Sequence, residues 1–280
     1  MEYGDKHILV LGAGASGIGA SWVLAQVGAH VVLNDYKPVT LPATEEGRLV
    51  SAGVEIITGR QDESLLDGVD RIVISPGISL DIPIVKAAQA RGIDVVSEVE
   101  LAYEVSKSPI VAVTGTNGKT TTTTLLTKVL EGSGKPVCVG GNIGDSLSEV
   151  AYSMPVGGFL VAELSSYQLE TIKHFRPIGA IMLNITPDHL ARHKTMENYI
   201  AAKERIFENQ LSTDFMVLNI DDPIVADMKH RAPSHILEIS QHQVVSNGAY
   251  YDKGQCYVTK NGTATPVIGS ADIHIPGSHN

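Results

Sequence analysis

The stretch Ile110-Val-Ala-Val-Thr-Gly-Thr-Asn-Gly-Lys-Thr120 limits what this chain can fold into more than any other segment. Ile110 to Val113 are apolar and rich in β-branched side chains, which reads as a buried strand. The glycine-bearing turn behind them opens a helix at Lys119. Strand, tight loop and helix start together make a phosphate cradle, because loop N–H groups converge on an anion and the helix N-terminus adds partial positive charge. There Lys119 reaches the outer phosphates of a nucleotide triphosphate, and the Thr120 hydroxyl is placed to ligate Mg²⁺. The strict pattern has glycine where Val113 stands, so this is a variant with its glycines at Gly115 and Gly118. Five threonines, Thr120 to Thr124, open the helix. Threonine is a mediocre helix former, so something other than propensity selects that run.

A second glycine loop lies near the start of the chain. His7-Ile-Leu-Val-Leu11 passes straight into Gly12-Ala-Gly14-Ala-Ser-Gly17 and then into a helical pattern through Ile18, Trp22, Leu24, Ala25 and Val27. The next strand, Val31 to Leu33, ends at Asp35, eighteen residues beyond Gly17 and near where a dinucleotide fold puts its ribose-binding acid. This is a Rossmann-type unit for a pyrophosphate or sugar nucleotide, and taken alone it equally suits an NAD(P)-dependent dehydrogenase. Strands are expected at Val54 to Ile57 and Arg71 to Ile74, and helices at Thr44 to Ala52, Ile84 to Arg91 and Glu98 to Val105. The Ser75-Pro-Gly77 turn at a strand's carboxyl end sets Ser75 and the Gly77 backbone on the ligand edge of the sheet. Lys107-Ser-Pro109 marks the neighbourhood of an interdomain joint. The expected division is a Rossmann-like parallel-sheet domain over 1–98 and a P-loop-type α/β central domain over 99–280.

Composition narrows the partners. A formal net charge of −10 argues against nucleic acid, which demands a basic footprint. No apolar run approaches membrane-spanning length. Two separated cysteines, Cys138 and Cys256, are too few for a disulfide scaffold and suit a cytoplasmic location. The first strand starts within a few residues of Met1, which leaves no room for a signal peptide.

The second half gathers chemistry at strand ends. Pro136 to Val139 leads into Gly140-Gly-Asn-Ile-Gly144, where Asn142 offers a neutral donor and acceptor. Phe159 to Ala162 ends at Glu163, and a carboxylate at a strand tip beside a phosphate loop is where Mg²⁺ is usually held; the bland alternative is a cap for the next helix. Ala180 to Leu183 is followed by Asn184-Ile-Thr-Pro-Asp188-His189, so His189 is expected in the same crevice as Lys119 and Glu163. Arg192 and His193 remain either functional or solvated. In the helix expected over Met196 to Glu208, Lys203 falls on the apolar face defined by Met196, Tyr199, Ile200, Ile206 and Phe207. A bare ammonium there is costly. Three outcomes relieve it: snorkelling, pairing with Glu163 or a phosphate, or loss of the proton followed by chemical modification. From Asp214 onward the signals thin to a strand at Phe215 to Asn219, a helix start at Asp222-Pro223, and short strands and turns with a hairpin at Asn261-Gly262. The sequence stops in a loop, Ile275 to Asn280, as though cut from something longer.

These motifs together resemble the Mur ligases. Thr114-Gly-Thr-Asn-Gly-Lys-Thr-Thr121 is similar to the family's ATP loop, and Glu163-Leu-Ser-Ser-Tyr-Gln-Leu-Glu170 resembles the members that add D-glutamate. Gly12 to Gly17, Asp35-Tyr-Lys37, Ser75-Pro-Gly-Ile78, Gly141-Asn-Ile-Gly144, Asn184 to His193 and Ala202-Lys-Glu-Arg205 fit in the same order. The resemblance implies ATP-dependent amide formation: UDP-N-acetylmuramoyl-L-alanine is activated as an acyl phosphate that the D-glutamate amine attacks, in peptidoglycan precursor synthesis. It implies ATP binding by Gly115, Thr116, Asn117, Gly118, Lys119, Thr120, Thr121 and Asn280. It implies two Mg²⁺ ions, with Thr120 and Glu163 at the first and His189 at the second, and an N6-carboxylysine at Lys203 beside the second metal. Lys119, Glu163, His189 and Lys203 are the catalytic set so implied. Ala15, Ser16, Asp35, Tyr36 and Lys37 would lie near uracil or ribose, Ser75 and Gly77 on the diphosphate side, and Asn142 and Ser165 near the sugar and peptide. Family members carry a third domain that this sequence lacks, so the fragment is expected to keep the UDP site and part of the phosphate site but not to ligate; a monomer is expected. A non-catalytic nucleotide-binding module is the remaining alternative.

Overall fold

In the computed structural model, which describes residues 3–274, both glycine loops sit where strand order reverses. The first half runs β1 (His7–Leu11), α1 (Ala15–Gln26), β2 (His30–Asp35), α2 (Ala43–Ser51), β3 (Glu55–Thr58), β4 (Arg71–Ile74), α3 (Pro83–Ala90) and β5 (Asp94–Ser97). These strands form a parallel sheet in the order β3-β2-β1-β4-β5. β1 and β4 are neighbours whose crossovers leave on opposite sides, which opens a crevice beyond their carboxyl ends. The Gly12–Gly17 turn and the Ser75–Gly77 turn both lie there. β5 was not expected, since its apolar content is little more than Val95 and Val96.

α4 (Glu98–Val105) then leads to β6 (Ile110–Thr114), α5 (Lys119–Glu131), β7 (Val137–Gly141), α6 (Leu147–Ser153), β8 (Phe159–Glu163), α7 (Ser166–Leu169) and β9 (Gly179–Met182). α8 (Leu190–His193), α9 (Met196–Glu204), β10 (Phe215–Asn219), α10 (Pro223–Asp227), β11 (His235–Ser240), β12 (Gly248–Asp252), β13 (Gln255–Lys260) and β14 (Thr263–Gly269) complete it. The second sheet is ordered β14-β13-β12-β11-β10-β9-β6-β8-β7. It is parallel from β7 to β12 and antiparallel across β12, β13 and β14, so the short strands expected after Gln243 form a meander. Asn261 and Gly262 take the left-handed φ values, 50° and 77°, that the β13–β14 hairpin needs. Here β6 is the switch point, between β8 and β9.

α4 binds the two halves through three of its glutamates. Glu98 is 1% exposed and accepts from Ser146 Oγ at 2.7 Å and Ser148 N at 2.6 Å, at the start of α6. Glu100, fully buried, accepts from three successive N–H groups, Lys173, His174 and Phe175, at 2.7, 2.7 and 3.0 Å. Glu104 meets Arg71 Nη1 at 2.9 Å and the Tyr3 hydroxyl. Burial pushes the Glu98 carboxyl above its usual range, against the hydrogen bonds it accepts. Gly19 of α1 has no room for a side chain, since a Cβ there would lie 2.3 Å from Ser146 Oγ. Arg48 pairs with Glu149, and Trp22 meets Tyr152 edge-on at 5.7 Å, along the same seam.

Candidate functional site

The β6–α5 loop is clamped from one side by the segment after β9. Gly115 takes φ +153° and Gly118 φ +82°, and a Cβ at Gly115 would lie 2.9 Å from Leu183 Cβ. Thr116 N donates to Asn184 O at 2.9 Å, and Asn117 N to Asn184 Oδ1 at 2.8 Å. Asn184 Nδ2 returns a bond to Asn117 O at 3.0 Å, and Thr186 N donates to Thr116 Oγ1 at 3.0 Å. With the early loop N–H groups spent on Asn184, the donors without an intrahelical acceptor are those of the first turn of α5. Such unpaired donors at a helix N-terminus are suited to an anion. Thr120 is exposed on that turn and Thr121 partly so, while Thr123 is fully buried.

Lys119 Nζ folds back on its own loop, donating to Gly115 O at 3.1 Å and Thr116 O at 2.9 Å. Lys203 Nζ reaches the same Gly115 O at 2.8 Å and Thr114 Oγ1 at 3.4 Å, and lies 5.0 Å from the centre of the Tyr199 ring. The lysine is 2% exposed and neither snorkels nor pairs with Glu163. Instead its ammonium hydrogen-bonds the backbone of the phosphate loop. Burial, and then repulsion from Lys119, bring its pKa down to about 7, against a smaller opposing pull from Asp188.

Glu163 ends β8 opposite Val113 of β6, two residues before the loop glycine. It is 1% exposed, with Oε1 accepting from Asn142 Nδ2 at 2.8 Å. Its Oε2 is buried without any hydrogen-bond partner. A buried carboxylate oxygen left unmatched is costly, and a cation is the partner whose chemistry fits it, so the residues present suit a divalent metal here. The capping alternative fails: α7 is capped by Ser165, whose hydroxyl accepts from Gln168 N at 3.3 Å while Gln168 Oε1 accepts from Ser165 N at 2.9 Å. Gly141, at φ +113°, would put a Cβ 2.3 Å from Glu163 O, so glycine is required for β7 to close against the carboxylate's backbone.

His189 caps α8 with φ +54°, a left-handed conformation that few non-glycine residues adopt, and its Nε2 lies 3.4 Å from Asp188 Oδ2. Its ring sits 4.8 Å from Tyr167 and 6.3 Å from Tyr199. The Tyr199 hydroxyl in turn is 3.1 Å from Thr116 Oγ1. A chain of contacts thus joins His189 through Tyr199 to the phosphate loop and to Lys203 and Lys119, with Glu163 one strand away. Among the described residues no three of His, Cys, Asp and Glu converge as a metal cluster.

In the first half, Asp35 accepts from Ala13 N at 2.9 Å and from Lys37 N at 3.0 Å, tying the end of β2 to the glycine turn. Gly17 is packed on Gly12 O, where a Cβ would lie 1.8 Å away. Ser75 Oγ donates to Gly12 O at 3.2 Å. Ala15, Tyr36, Lys37 and Gly77 are exposed at this edge, and Ser16 is partly so. Asn280 lies outside the described residues. Sequence reasoning passed over Asn184 and Tyr199 as site residues, although Tyr199 sits one helical turn before Lys203. It also left Arg192 and His193 undecided. Arg192 is gripped by Glu170, and His193 is 6% exposed with Nε2 2.9 Å from Ser166 Oγ and a pKa lowered by burial.

Residues 113–280 match the model of the Mur ligase middle domain, and residues 6–97 that of the Mur ligase MurD-like N-terminal domain. The chain is 44% identical over 280 residues to the UDP-N-acetylmuramoylalanine--D-glutamate ligase of Thermoanaerobacter pseudethanolicus, all of this chain against 62% of that protein. It is 43% identical over 279 residues to the ligase of the same name from Halalkalibacterium halodurans, covering 61% of it. The chain therefore spans about 62% of the length of such relatives. Among solved structures, UDP-N-acetylmuramate:L-alanyl-gamma-D-glutamyl-meso-diaminopimelate ligase from Neisseria meningitides aligns with a TM-score of 0.63 at 21% identity, over 98% of this chain and 89% of that one. MurC from Thermotoga maritima aligns at 0.52 and 21%, over 98% and 61%. Both are likenesses of fold.

Proposed function

This chain belongs to the Mur ligase family, and from that premise we propose that it holds the UDP-N-acetylmuramoyl-L-alanine and ATP sites of ATP-dependent amide formation with D-glutamate in peptidoglycan precursor synthesis, without ligating by itself. The observation that carries the reading is the unpartnered, buried Glu163 Oε2 one strand from a phosphate loop. Residues 1–98 would hold the UDP substrate and residues 99–280 ATP. In the reaction the substrate's terminal carboxylate attacks the γ-phosphorus of ATP, the bond to the β-phosphate oxygen breaks, and ADP leaves. The D-glutamate amine then attacks the acyl carbon, phosphate leaves, and the amine proton is lost.

Bringing two anions together requires neutralisation, the largest electrostatic burden of this chemistry. Lys119 would leave Gly115 O and Thr116 O for the β- and γ-phosphates, with the N–H groups of Gly118, Lys119 and Thr120 seating them. Bound Mg²⁺ supplies charge neutralisation and Lewis acidity at the phosphate oxygens. Thr120 and Glu163 would hold the first ion, and His189 and a modified Lys203 the second. A Lys203 amine with a pKa of about 7 has a neutral fraction able to add CO₂, forming an N–C bond and releasing one proton. The carbamate would turn a buried cation into an anion suited to a metal. Asn142 and Ser165 would contact the sugar and peptide. Ala15, Ser16, Asp35, Tyr36 and Lys37 would contact uracil or ribose, with Asp35 keeping the Ala13 turn in shape. Ser75 and Gly77 would line the diphosphate.

Calorimetric titration of this chain with UDP-N-acetylmuramoyl-L-alanine, and separately with NADH, tests the reading. Binding of the first and not the second is expected; the reverse outcome would return the first domain to a dehydrogenase role.

A further inference from the structure

Arg192 is held by protein groups along two edges and over one face. Its Nε lies 3.1 Å from Glu170 Oε2 and 3.2 Å from Oε1, its Nη2 also reaches Oε2, and its guanidinium carbon stands 4.5 Å over the Tyr167 ring. The side chain is 19% exposed and its Glu170 partner 15%. A planar guanidinium held by a carboxylate fork on one edge and an aromatic face below has little freedom left. The remaining edge points across the crevice, and Nη1 donates to Pro76 O at 3.1 Å.

Pro76 is the middle of the Ser75–Ile78 turn, closed by Ile78 N donating to Ser75 O at 3.0 Å. Ser75 rests on Gly12 O of the glycine turn. On its other side, Arg192 N donates to His189 O at 3.0 Å, so the same residue closes the short helix that His189 caps. The other ties between the halves described above run through α4 and α6; this one ends on the ligand edge itself. One side chain therefore connects the turn beside the first glycine loop to the helix beside the second.

We propose that Arg192, fixed by Glu170 and Tyr167, is a positioning residue that struts the Ser75–Ile78 turn across the crevice and sets where a sugar nucleotide's diphosphate lies relative to the phosphate loop. This rests on the UDP reading above. The guanidinium acts through the turn. One charged donor to a carbonyl is enough to hold a four-residue turn but not to hold the two halves together.

The test uses this chain with Arg192→Ala and Arg192→Lys. Hydrogen–deuterium exchange at 75–78 should quicken several-fold in both, while exchange in β1 stays at the wild-type rate. Calorimetry should show UMP affinity within twofold of wild type and UDP affinity about tenfold weaker, because the strut is proposed to act at the distal phosphate. Unchanged exchange at 75–78, or equal effects on UMP and UDP, would overturn the strut. Should the alanine variant fail to fold, the lysine variant carries the same comparison, since it keeps charge and stem but lacks the second edge. A wild-type chain that binds neither UMP nor UDP would instead sink the UDP reading, and the exchange data alone would then judge the strut.

Discussion

Lys119 and Lys203 donate to the same oxygen, the Gly115 carbonyl, at 3.1 and 2.8 Å. Two ammonium groups at one acceptor repel, and the buried one yields. Its pKa falls from 10.5 to about 7, by burial first and by Lys119 second. An unfolded chain keeps that proton up to 10.5, so below pH 7 the folded state carries the full cost of a buried charge. Between pH 7 and 10.5 the unfolded state binds more protons, and stability rises with pH. Lys203→Met is therefore expected to stabilise the chain by on the order of a few kcal/mol below pH 7, with the gain shrinking towards pH 10.5. Denaturant titrations across that range check both sign and window.

The same depressed pKa makes Lys203 open to carbamylation. With ¹³C-labelled bicarbonate above pH 7, wild type should give a carbamate resonance that grows with pH. Lys203→Arg, whose guanidinium stays protonated, should give none. A signal persisting in the arginine variant would place the modification elsewhere.

Glu163→Gln should separate metal binding from folding. The unpartnered oxygen is a liability in the free chain, so the variant's stability should stay within about 1 kcal/mol of wild type or rise. Affinity for Mn²⁺ in the presence of an ATP analogue, followed by electron paramagnetic resonance, should fall by about tenfold or more.

Gly17→Ala asks for a Cβ 1.8 Å from Gly12 O, a contact that only backbone displacement relieves. A loss of about 3 kcal/mol or more is expected on thermal unfolding. Gly77→Ala, where a Cβ meets nothing within 4 Å, is the control and should be nearly neutral.

Glu100 holds three consecutive N–H groups from Lys173 to Phe175. Glu100→Ala strands those donors, of which only Phe175 N lies in a fully buried bond, and a destabilisation of about 1–3 kcal/mol is expected. Exchange at the 173–175 amides should rise ahead of global unfolding.

The sheet strands that carry ligand edges were legible wherever the local pattern was strong: Arg71–Ile74, Ile110 onward and Phe215–Asn219 stand as read. β5 and α6 were not, because short elements that are buried by neighbours need little periodicity of their own. The helix read over Met196 to Glu208 is regular only to Glu204, with a tighter turn over Arg205–Phe207. Lys203 was recognisable as misplaced, since a cation on an apolar face breaks the 3.6-residue pattern. The acceptor that receives it was not, because Gly115 is 88 positions away in the chain.

What the sequence determined by itself is local: two glycine loops each behind a strand, the residues that can approach phosphate, and a lysine on the wrong face of a helix. The tertiary structure decided which groups meet. Burial of Glu163 leaves one oxygen unmatched, Asn184 consumes the early N–H groups of the phosphate loop, and Arg192 spans the crevice to Pro76. Such pairings follow from strand order and packing across tens to more than a hundred residues. A side chain's partner is chosen by whatever that packing brings within about 3 Å of it.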